Sequence, residues 1–158
     1  MTSRVMAWLR FLLILVLVGS VLGQLLIPLI AADEGRRAPE VSHLVVPYSV
    51  AGILAVACLQ AAVACIWALL GMVESGRIYT RRALRWVEAI AWCGGLAAAI
   101  CAATGAHLVA WEGIGGPGVV LGGVAAVVAG GAFVLLMIVM RGLLAVAISD
   151  RAELAEVI

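Results

Sequence analysis

Hydrophobic positions in this chain run on continuously; they do not alternate with polar ones. Phe11 to Ala32 holds 22 residues without a charge, Leu44 to Val73 holds 30, Ala89 to Ala110 holds 22 and Gly113 to Met140 holds 28. Together these runs take up 102 of the 158 residues, and every charged side chain lies outside them. A helix needs about 20 apolar residues to cross a hydrocarbon core of ~30 Å, so each run is long enough. No soluble core requires four such segments. The pattern predicts a single all-α membrane domain with spans at about 11–32, 44–73, 86–110 and 118–140.

The absence of a two-residue alternation favours helices over barrel strands, since backbone polar groups in lipid must be satisfied within the segment. Arg4 and Arg10 precede the first run in the manner of a signal peptide. That run exceeds a signal core of about 7–15 residues, which makes it a retained anchor. Short connections force sequential spans to pack antiparallel, giving an up-down four-helix bundle. Gly95, Ala99 and Ala103 on the third span, and Gly122, Ala126 and Gly130 on the fourth, recur every four residues. Small residues in that register let helix backbones approach closely, either within one chain or between copies in a homo-oligomer.

Composition changes this picture little, because 66% of residues are hydrophobic, 12% are charged and the net charge is +1. The distribution of charge changes it more. All ten basic residues are arginine. Two precede the first span, four (Arg77, Arg81, Arg82, Arg85) separate the second and third, and Arg141 and Arg151 follow the fourth. Only Arg36 and Arg37 lie in the first outer loop. The positive-inside rule then predicts both termini in the cytoplasm and places the chain in the cell membrane as a multi-pass protein. Trp8, Trp67, Trp86 and Trp92 cluster toward the inner boundary, with Trp111 at the outer one. Asp33 to His43 forms an outer connection with room for a helical turn or two. In the inner connection Gly76 is the expected stop for the second helix and Thr80 the expected N-cap of the third. The tail from Arg141 to Ile158 is expected to continue as a helix.

The inner connection and its flanks read Met72-Val-Glu-Ser-Gly-Arg-Ile-Tyr-Thr-Arg-Arg-Ala-Leu-Arg-Trp-Val-Glu88. This segment resembles the bacterial membrane-protein family called domain of unknown function 2975. The resemblance implies four spans and an inner loop carrying a glycine, an aromatic residue and Ser or Thr before the third span. Gly76, Tyr79 and Thr80 match that pattern here, with tyrosine where phenylalanine is usual. The closing Arg151-Ala-Glu-Leu-Ala-Glu-Val-Ile158 is similar to tails of actinobacterial members. The family supplies no established reaction.

Ionisable side chains deep in a membrane mark functional sites, and this sequence offers few. Gln24 and Gln60 are the amides within spans, and His107 is the one histidine within them. Glu88 follows Arg85 by three residues on one helical face, which suggests a local ion pair. Cys58 and Cys65 are seven apart on the second span, and Cys93 and Cys101 are eight apart on the third. In a hairpin turning near Tyr79, Cys65 falls at the depth of Cys93 and Cys58 at that of Cys101. Two such layers suit a soft metal or disulfides, while packing as small hydrophobes is the plainer account. At the outer face Glu40, His43, His107 and Glu112 form a metal-ligand candidate of low specificity, against which solvated boundary residues are the simpler reading. In the tail, Asp150, Glu153 and Glu156 recur along one flank. They suggest docking on the loop arginines, in competition with anionic lipid.

No cofactor and no catalytic constellation is expected. The leading function is a non-enzymatic accessory, sensory or immunity-type role through the arginine loop and tail. Its expected partners are the lipid bilayer and a membrane or cytoplasmic protein, with no direct nucleic-acid contact. An oligomeric transporter of a small or amphipathic solute is the alternative, and a thiol redox or metal-binding protein the second alternative.

Overall fold

Each charge-free run becomes the middle of a helix, because a continuous α-helix satisfies all backbone hydrogen bonds of an apolar segment internally. The structure, a computed structural model, describes residues 3–37, 39–75, 80–113 and 116–156. Its helices are α1 (Ser3–Arg37), α2 (Val45–Glu74), α3 (Arg81–Ala110) and α4 (Pro117–Glu156). A 3₁₀ segment, Pro39–Leu44, joins α1 to α2. All four helices are long and apolar enough to cross a membrane. The exterior supports that role: Leu25, Leu121 and Leu135 are 67%, 71% and 65% exposed, while few large apolar side chains are buried. A soluble protein of this size would not display so much continuous apolar surface.

Helix ends follow local chemistry. α1 runs past the apolar segment to Arg37, and Arg37 pairs with Asp33 one turn back at 2.7 Å. The connection between α1 and α2 is therefore shorter than the charge pattern suggested. At the end of α2, the Ser75 N–H and hydroxyl both donate to the Gly71 carbonyl, at 3.2 and 3.0 Å. Thr80 occupies the N-cap of α3 in an extended conformation, its carbonyl accepting from Ala83 N–H at 2.9 Å. Gly76, Arg77 and Tyr79 lie outside the described residues. The α3–α4 turn uses Gly113 at φ +64°, a conformation that glycine adopts without steric cost. Pro117 then opens α4 at a position that needs no N–H.

The helices pack in chain order, α1 on α2, α2 on α3 and α3 on α4. Leu13, Val63 and Leu70 join α1 to α2. A second cluster of Ala62, Cys65 and Ile90 is covered by Phe133 and Met137, which brings α2, α3 and α4 together. Where α3 meets α4, Gly105 lies 3.6 Å (from an ideal Cβ) from the Gly123 Cα. A Cβ on Gly94 would collide with the Phe133 ring, and one on Gly130 with Ala98. The closest approach thus uses Gly94, Gly95 and Ala98 against Phe133, Val134 and Gly130, with Gly105 and Gly123 in ordinary contact. Gly122, expected in this stripe, faces open space.

Between α1 and α2 the two amides act as a polar clamp. Gln60 Nε2 donates to Gln24 Oε1 at 2.9 Å and to Ser20 Oγ at 3.2 Å. Gln24 Nε2 donates in turn to the Ile53 carbonyl at 3.1 Å. Both amides are satisfied by protein partners, as burial in an apolar medium requires.

Candidate functional site at the arginine-bearing end

Antiparallel packing gathers one end of α1, the end of α2, the start of α3 and the second half of α4 on the same side. Two ion pairs tie neighbouring helices there. Arg10 on α1 pairs with Glu74 on α2, and its guanidinium lies 6.0 Å from the centre of the Trp67 ring. Arg141 on α4 pairs with Glu88 on α3 at 3.4 Å. The expected local pair of Glu88 with Arg85 is replaced by this contact between helices. α4 supplies a cation at the same level.

Beside the Glu88–Arg141 pair lie two adjoining cavities. A groove of about 500 Å³ runs along α3 and α4, floored by Gly95 and Ala99 and walled by Leu96, Val134 and Ile138. Trp92, 73% exposed, stands at its side. The absence of side chains at Gly95 and the shortness of Ala99 are what open it. A second compartment of about 600 Å³ is lined by Arg82, Leu84 and Arg85, and shares Glu88 and Arg141 with the groove. An apolar slot and an arginine-rich pocket therefore stand side by side, with the Glu88–Arg141 pair lining both.

Of the other candidates, Cys65 is buried in the central cluster and Cys93 packs against it, so the structure brings these two together. Cys101 is exposed on α3, Cys58 is half-buried, and all four thiols are free. At the opposite end, His43 Nε2 meets Glu112 Oε2 at 3.6 Å. His107 turns elsewhere: its Nδ1 shares a 2.7 Å hydrogen bond with the Tyr48 hydroxyl, and its ring stacks on Trp111 at 5.9 Å. Among the described residues no three His, Cys, Asp or Glu side chains converge as metal ligands. The side chains of Glu40, Arg81, Asp150, Glu153 and Glu156 lie outside what is described, but the backbone of α4 carries the tail acids in one continuous helix to Glu156.

Sequence reasoning missed Arg10, Glu74, Tyr48 and the groove beside Trp92. The depth matching used for the cysteines would have paired Arg10 with Glu74 and Glu88 with Arg141. The groove had no comparable signal, because it depends on which of several adjacent glycines faces the neighbouring helix.

No curated protein and no solved structure matches this chain. The family described as "Protein of unknown function (DUF2975)" matches residues 29–158, which covers α2, α3, α4 and the end of α1. The chain belongs to this DUF2975 family.

Proposed function

We propose that the chain is a non-enzymatic accessory or regulatory protein of the cell membrane, with both termini in the cytoplasm, acting on a protein partner through its arginine-bearing end. The observation that carries this reading is the unbroken course of α4. At 1.5 Å per residue, Asp150 to Glu156 stand about 13 to 23 Å beyond Arg141 along the helix axis. Arg141 sits level with Glu88, seven residues inside α3. The tail therefore projects past the start of α3 as a charged helix that a partner can grip, with Arg82 and Arg85 exposed at its base. Seven arginines on the described helices, at positions 4, 10, 81, 82, 85, 141 and 151, belong to this end against Arg36 and Arg37 at the other, which supports a cytoplasmic orientation.

The test is purification of the full chain from its native host in mild detergent, beside a chain truncated after Ile148. Recovery of one protein with the full chain and its loss from the truncated chain is the expected result. Recovery of the chain alone in both cases contradicts the partner reading and favours a self-assembling transporter.

A further inference from the structure

The α3–α4 groove and the compartment beside it have the two-part chemistry of a phospholipid. We propose that they form a binding site for one anionic phospholipid, an acyl chain lying in the groove and the phosphate held by Arg85 and Arg141. This inference rests on the helices crossing a membrane and not on a protein partner, so the partner reading can fail while this one stands.

Three observations argue for this occupant. The groove wall is apolar along its length, from Ala99 past Leu96 and Val134 to Ile138, and it opens sideways toward the surroundings of the helices, where a chain can enter. A slot of about 500 Å³ has room for most of one acyl chain. At the arginine-bearing end the slot abuts the compartment of Arg82, Arg85 and Arg141, the two sharing Glu88 and Arg141, with Glu88 the one carboxylate among the described residues lining either space. The lining there carries a net charge of +2, complementary to a phosphodiester and indifferent to a neutral headgroup. Glu88 engages Arg141 at 3.4 Å, a length at which the guanidinium fork still has N–H groups to give. Trp92 stands beside the slot near the charged compartment, the depth at which tryptophan prefers to meet headgroups.

The test uses the full chain in mild detergent and native mass spectrometry with phosphatidylglycerol or phosphatidylcholine bearing identical acyl chains. One phosphatidylglycerol per chain is expected, bound more tightly than phosphatidylcholine. Arg85→Gln and Arg141→Gln are each expected to weaken phosphatidylglycerol about fivefold, the scale of one cation near an anionic surface, and to leave phosphatidylcholine unchanged. Ala99→Phe, which fills the slot, should remove both lipids. Should that variant fail to fold, quenching by bromine-labelled chains decides alone: phosphatidylglycerol brominated mid-chain must quench the fluorescence that is lost in Trp92→Phe. Equal affinity for the two lipids, arginine variants that bind normally, displacement by millimolar inorganic phosphate, or a lipid-free dimer would each overturn the proposal.

Discussion

Gly130 sits against Ala98 so closely that a methyl group cannot be added without moving a helix, while Gly122, two turns earlier on α4, faces open space. Gly130→Val is therefore expected to cost about 1–3 kcal/mol by overpacking, and Gly122→Val close to nothing. Thermal unfolding of the two variants in one detergent measures the contrast, and equal losses would refute the packing register. A four-residue rhythm of small residues was visible in the sequence, but its register was not. Gly94-Gly95, Gly122-Gly123 and Gly130-Gly131 are doublets, so either member of each could face the partner. In the first doublet both members meet α4, Gly94 under the Phe133 ring and Gly95 beside Val134, and Gly95 also lines the groove. The charged residues were similarly half legible. Thr80 as an N-cap follows from local chemistry, whereas the partners of Glu74 and Glu88 depend on how helices align.

Two elements, α1 and α4, hold the rest of the argument. α1 touches the other helices through α2 and the 3₁₀ segment, so its attachment depends on that one side. The Gln60–Gln24–Ser20 clamp lies in the α1–α2 interface. Gln60→Leu is expected to weaken the α1–α2 association by about 0.5–2 kcal/mol, the range for hydrogen bonds between membrane helices. Steric trapping or a split-chain association assay with α1 supplied separately can read that change, and an unaltered affinity would remove the clamp from the account. The Arg10–Glu74 pair in the same interface is more than a third exposed on both sides. A double-mutant cycle there should return less than about 1 kcal/mol. In α4 the question is whether the acidic flank bends back upon the arginines. The proposed docking predicts that reversing Asp150, Glu153 and Glu156 to lysine changes cross-linking between engineered cysteines at Leu154 and Leu84, in a chain whose four native cysteines are replaced by alanine. Unchanged cross-linking would leave the tail free for a partner.

At the scale of the whole molecule the charge-free runs foretold four helices, and the structure supplies what hydropathy lacks: packing in chain order, ion pairs at one end and a groove between the last two helices. Charges outside the apolar runs misled about the length of α1, which runs on to Arg37 with the help of the Asp33–Arg37 pair, while α4 continues into the tail as expected. Function at the arginine-bearing end requires that end to face the cytoplasm, and fusions to reporters test this most directly. Alkaline phosphatase is expected to be active when fused after Arg37 or Gly113 and inactive after Thr80 or Glu156, with green fluorescent protein giving the reverse. Phosphatase activity at Glu156, or a chain that fractionates away from membranes, would contradict it.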